Sequence, residues 1–130
     1  MSTTNLRVGV IGVGFGTVVQ IPGFQDEGVE VVGVCSRRID RAEKAAREFK
    51  IPHYFDDYKE LIGRQDIDAV SIVTPPALHY TMAKAALEAG KHVLCEKPFA
   101  LNVAEAFELY SLAKETDRTS MITHEFRWSP

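Results

Sequence analysis

The sequence predicts an α/β fold, a doubly wound parallel sheet with helices on both faces, in three α/β/α layers. Three observations carry that prediction. Short apolar runs rich in valine and isoleucine recur with little polar alternation, as in strands covered on both faces. Between them lie longer stretches of helical periodicity. Strand and helix alternate along the chain, and parallel strands joined this way need right-handed crossovers.

The first strand is RVGVIG (7–12). A glycine-rich turn and a short helix follow, and Pro22 is expected to kink or end that helix early. EVVGVCS (30–36) is the second strand, RAEKAAREF (41–49) a strong helix former, and HYF (53–55) a short strand. A short helix follows Asp57 and closes at Gly63. DAVSIVT (68–74) is the next strand. ALHYTMAKAALEAG (77–90) is a helix stopped by Gly90 at its C′ position. KHVLCE (91–96) is a strand, VAEAFELYSLAKETD (103–117) the longest helix, and SMITHEF (120–126) the last strand. Three pairs have capping-box spacing: Asp40 with Glu43, Asp57 with Glu60, and Asn102 with Glu105.

The 130 residues suit one domain, and 45% hydrophobic with 25% charged residues is an ordinary globular balance. A net charge of −3, with no basic block, gives no general attraction to nucleic acid or to an anionic membrane. The N-terminus lacks a signal-peptide pattern, and no apolar stretch reaches the roughly 18 residues of a membrane span. A cytoplasmic protein is expected. Cys35 and Cys95 read as free buried thiols. No metal site is expected: the four histidines share no ligand spacing, and HEFRW (124–128) lacks the second histidine of HExxH.

The first candidate site is VGVIGVGFGT (8–17). In a dinucleotide fingerprint the first glycine permits a tight turn, the second lets pyrophosphate approach the backbone, and the third lets helix pack on strand. Gly12 and Gly14 fit. Thr17 stands where the strict pattern has Gly or Ala, and the extra glycine falls at Gly16. With Phe15, these are the candidate pyrophosphate contacts. A glycine turn with no ligand is the alternative. The second strand ends in Ser36, Arg37 and Arg38, with no acid to meet a ribose 2′-hydroxyl. A hydroxyl and guanidinium groups suit a 2′-phosphate. NADP(H) is therefore favoured over NAD(H), which stays open. Arg38 is the more ordinary of the two arginines, a solvated partner for Asp40 or Glu43.

The second candidate site is built from two strand tips. Thr74, Pro75 and Pro76 end one strand, where ligands sit in open α/β folds, and His79 follows in the next helix. His79 is as readily a structural hydrogen-bonding residue. Glu96, Lys97 and Pro98 end the neighbouring strand. Hydride transfer between a carbinol and a nicotinamide needs a group that takes or gives the hydroxyl proton, and Lys97 is the candidate. Glu96 is placed to orient it, and Pro98 to fix the backbone through a cis bond. The competing view is a surface ion pair between Glu96 and Lys97.

Together, VGVIGVGFGT, VCSRR, TPPALHYTMAKAALEAGKHVLCEKPFALNVAEA and HEFRWSP resemble the Gfo/Idh/MocA oxidoreductase family across essentially the whole chain. The resemblance implies an N-terminal Rossmann domain over residues 1–123 that binds NAD or NADP. It implies that Lys97 acts on the substrate hydroxyl and helps hold the nicotinamide. Thr74, Pro75 and His79 match the family's Thr-Pro-Asn…His segment, with Pro76 in place of Asn. Arg127 matches the family arginine in the strand leading out of the domain. It further implies that residues 124–130 begin a second, substrate-binding and oligomerisation domain absent from this chain. The expected partner of the longer protein is then a sugar or polyol, in a homo-oligomer, while the 130-residue chain alone is expected to be inactive. An apolar patch is expected on the last strand.

A cofactor-binding sensor or non-catalytic Rossmann module is the alternative from a different class. An S-adenosylmethionine site fits the basic Ser36–Arg37–Arg38 tip poorly, because a free ribose usually meets an acid.

Overall fold

The computed structural model describes residues 5–14 and 16–123. Six strands form one parallel sheet: β1 (Arg7–Ile11), β2 (Glu30–Cys35), β3 (His53–Phe55), β4 (Ala69–Ile72), β5 (His92–Glu96) and β6 (Ser120–Thr123). Their spatial order is β3-β2-β1-β4-β5-β6. The order reverses between β1 and β4, so a crevice opens where the two halves wind away from each other.

Two apolar cores fill the space on either side of the sheet. On one face Val8, Val10, Val31 and Val34 meet Ile21 of α1 (Ile21–Asp26) and Ala45 and Ala46 of α2 (Ile39–Glu48). On the other, Val70, Ile72, Val93 and Cys95 pack with α3 (Tyr58–Ile62), α4 (His79–Glu88) and α5 (Val103–Glu115). Leu61 of α3 is wholly buried, and its seat is made by two glycines paired across neighbouring strands. A Cβ on Gly9 would lie 2.5 Å from Leu61 Cδ2, and one on Gly33 would meet Phe55 at 3.3 Å. The β1–β2 register slips between Val8 and Gly9. That slip resets the alternation of β2, so that Val31 and Val34 face one core and Val32 and Cys35 the other.

At the amino edge of the sheet Arg7 binds Asp68 bidentately, Nε to Oδ2 at 3.1 Å and Nη2 to Oδ1 at 3.0 Å. The Arg7 amide donates to the same carboxylate at 3.0 Å. The guanidinium hydrogen bond, partly opposed by burial, holds the Asp68 carboxyl below its ordinary value. A depressed folded value means that the stabilisation is complete above the unfolded value, about 3.9, and is lost as pH falls through the folded one. With side chains 39% and 35% exposed, the pair contributes modestly. Asp68→Asn is expected to lower the melting temperature by a few degrees at pH 7, with the gap closing on acidification. An equal gap at both ends of a pH series of melts would contradict this.

Helix ends follow expectation in part. Asn102 Oδ1 accepts the Glu105 amide at 2.9 Å, and Asp57 Oδ1 the Lys59 amide at 2.9 Å. Gly63 caps α3, and Gly90, at φ +79°, follows α4. One expectation needs correcting and another narrowing. Asp40 lies inside α2, whose N-cap is Arg38, because the chain is already helical from Ile39. Pro22 does not end the first helix: the helical path changes at this point, from the π turn Gly16–Gln20 into α1, with Pro22 in the first turn of α1. Cys35 and Cys95 are free and buried, and burial pushes both thiols up to about 12. Met121 and Ile122 leave an apolar surface on β6, as expected. Among the described residues no helix is long and apolar enough to cross a membrane, and no group of side chains could hold a metal ion. The remainder of the expected last strand lies outside the described residues.

Candidate functional site

Four strand tips are brought side by side by register. Ile11 lies level with Cys35 and with Ile72, and Ile72 with Cys95. The next residues along each strand are Gly12, Ser36, Val73 and Glu96, all on the carboxyl edge. At the usual strand spacing, about 5 Å, the Gly12 and Glu96 tips stand roughly 10 Å apart. The sequence-predicted residues of both candidate sites therefore share one edge.

Gly12 makes the turn that starts the edge. Its φ is +116°, and a Cβ there would lie 2.7 Å from the Val73 carbonyl oxygen, so only glycine fits. Its amide donates to the Cys35 carbonyl at 2.9 Å, tying the turn to β2. Gly14 is different: a Cβ there would meet nothing within 4 Å, so the backbone faces open space. Thr17 turns its hydroxyl back to the Val13 carbonyl at 2.6 Å and to the Gly14 carbonyl at 2.9 Å, bracing the turn from behind. The chain then enters a π-helical turn, Gly16–Gln20, before α1. Phe15 and Arg127 lie outside the described residues.

A crevice of about 330 Å³ lies over this edge. Gly12 and Gly14 form one wall, with Ser36 and Arg37 at one end. Val73, Thr74, Pro75, Leu78 and Met82 form an apolar wall beyond. Ser36 Oγ accepts the Arg38 amide at 3.2 Å, and Arg38 pairs with Asp40 at 3.3 Å in solvent. Arg37 has no hydrogen bond or ion pair among the described residues, so its guanidinium is available to a ligand. Sequence reasoning missed Arg41, which lines the crevice from the first turn of α2, and Asp56 and Tyr58, which follow β3. The Arg41 signal was its spacing, one helical turn beyond Arg38.

At the other end stand Thr74, His79 and the Glu96–Lys97 tip. Thr74 Oγ1 lies 3.6 Å from Met82 Sδ. Lys97 is exposed and has no hydrogen bond or ion pair among the described residues. The Lys97–Pro98 peptide is cis. His79 is fully buried, its Nδ1 2.6 Å from the Pro98 carbonyl and its Nε2 2.7 Å from the Thr74 carbonyl.

The strand order, glycine turn and crevice make this a dinucleotide fold, and residues 6–124 match the Gfo/Idh/MocA family, described as an oxidoreductase family with an NAD-binding Rossmann fold. The chain belongs to that family. Among curated Gfo/Idh/MocA relatives, an uncharacterized oxidoreductase of Synechocystis sp. is 40% identical over 97% of the chain. The 4-carboxy-2-hydroxymuconate-6-semialdehyde dehydrogenase of Sphingobium sp. is 32% identical over 96%. A solved structure of KijD10, a 3-ketoreductase from Actinomadura kijaniata in complex with NADP, superposes with a TM-score of 0.92. It shares 34% identity over 98% of this chain and 41% of its own. The chain spans 34% and 40% of the length of the two curated relatives.

The residues present fit a nicotinamide dinucleotide. Open space before Gly14 admits a pyrophosphate, the Ser36–Arg37 end offers donors for an anion, and the wall of Leu78 and Met82 is apolar.

Proposed function

We propose that this chain is the cofactor-binding domain of an NADP(H)-dependent dehydrogenase or reductase acting on a sugar, polyol or related carbonyl compound. The observation that carries the cofactor preference is the basic end of the crevice, where Ser36, Arg37 and Arg41 meet beside the β2 tip. Ser36 and Arg37 hold the 2′-phosphate. Gly12 makes the tight turn and Gly14 leaves the backbone open to the pyrophosphate, with Gly16 next along the loop and Thr17 bracing the turn. Thr74 and Pro75 wall the ribose and nicotinamide side. The bound cofactor supplies or accepts the hydride. Lys97 Nζ takes the proton from the substrate hydroxyl during oxidation and returns it during reduction. NADP in the KijD10 complex and the dehydrogenase and ketoreductase names of the relatives support the reading. In it, residues 124–130 lead toward a substrate-binding region, and the longer protein is a homo-oligomer.

Calorimetric titration of the chain with NADPH and NADH tests the cofactor assignment. NADPH is expected to bind more tightly. Arg37→Ala should weaken NADPH by about 10–100-fold, the scale of a lost charge-assisted bond, and leave NADH within about twofold. Equal weakening of both would remove the 2′-phosphate from Arg37. A preference for NADH would keep the fold and overturn the specificity.

A further inference from the structure

His79 sits between the two strand tips that the proposed chemistry needs. Its ring is wholly buried, and both nitrogens face backbone carbonyls, 2.6 Å to Pro98 and 2.7 Å to Thr74. A carbonyl oxygen only accepts. In either tautomer a ring N–H donates to one of them, and the ring spans the gap between the two. One bond ends on the tip of β4, where Thr74 lines the crevice. The other ends on the residue directly after Lys97. Both ring nitrogens are thus occupied, and neither is free to meet a ligand.

We propose that His79 is a positioning residue: by bridging the Thr74 and Pro98 carbonyls it sets where the Lys97 backbone stands relative to the cofactor crevice. It acts through the two strand tips. Burial of the ring strengthens the role, because its nitrogens have no water to turn to in place of the two carbonyls. Neither carbonyl has another partner among the described side-chain and loop hydrogen bonds, so losing the ring frees the Lys97–Pro98 turn from β4. The inference rests on Lys97 being the working amine, but its placement can be read without any cofactor.

The experiment compares the chain with His79→Asn and His79→Gln by backbone NMR, and by binding of NADPH and 2′,5′-ADP. In the variants the amides of Glu96, Lys97 and Phe99 should shift, while those of Gly12 and Ser36 stay in place. The affinity for 2′,5′-ADP, which reaches only the basic end, should hold within about twofold, and NADPH should weaken about tenfold or more. Unmoved Lys97 amides, or amide shifts spread evenly over the sheet, overturn the positioning role. Equal weakening of both ligands would reduce His79 to a general contributor to stability and overturn it as well. Failure of the unaltered chain to bind NADPH would count against the cofactor assignment alone, because the amide shifts are read without ligand.

Discussion

Lys97→Ala, made in the chain extended to the length of its relatives, is expected to lower kcat by about 10²–10⁴-fold, the usual contribution of a positioned acid or base. The melting temperature should not change, because Lys97 is exposed and bonds to nothing among the described residues. That freedom is what the assignment requires: a lysine already spent on an ion pair would need that pair broken before it could move a proton. Lys97→Arg should fail almost as completely, since a guanidinium keeps its charge but does not release a proton near neutral pH. Added small primary amines should restore part of the Lys97→Ala activity. Turnover within a few-fold of the unaltered protein would end the acid–base role and favour a binding module without catalysis.

Gly12→Ala and Gly14→Ala should separate the two duties of the glycine turn. At Gly12 the backbone conformation alone costs an alanine about 1–3 kcal/mol. The new methyl would also stand 2.7 Å from the Val73 carbonyl oxygen, which belongs to the backbone and cannot swing aside. A fall in melting temperature of roughly 4–12 °C is expected for a domain of this size. At Gly14 an added methyl touches nothing in the protein, so the melt should stay within a degree or two. The methyl would instead stand where the pyrophosphate must come close, and NADPH binding should weaken by at least tenfold. A Gly12→Ala chain that melts like the original would refute the tight turn. A Gly14→Ala chain that binds NADPH unchanged would move the pyrophosphate elsewhere.

Much of this architecture is legible in the sequence because strand burial writes itself directly into composition. RVGVI, EVVGVC and AVSI are apolar because both faces of each are covered, while HVLCE buries only alternate residues, Val93 and Cys95; each lies within the expected run. That Gly12, Ser36, Thr74 and Lys97 share one edge was also legible, because each follows a strand and the strand tips of a parallel sheet lie side by side. What escaped depends on partners far along the chain. The start of α2 lay two residues before the strong helix formers, since Arg38 caps it without a side-chain bond. Arg41 reads as a surface helix residue until the fold sets the start of α2 against the β2 tip. The two bonds of His79 span 5 and 19 residues, and no local pattern announces the second. The paired glycines of β1 and β2 look like flaws in two strands until Leu61 is seen resting on both.

The carboxyl edge has a further consequence for how such a protein can change. Gly12, Ser36, Thr74 and Lys97 each stand just past a strand, while the valines and isoleucines that hold the sheet stand within. Ser36, Thr74 and Lys97 thereby lie outside the set of buried positions that holds the sheet, while Gly12 serves both the turn and the edge. On the proposed reading, an acidic residue exchanged for Ser36 together with a neutral one for Arg37 is expected to move the preference from NADPH toward NADH without touching a buried contact. A lineage built on this sheet would then change its redox partner by two substitutions at the rim, outside the residues that hold the core.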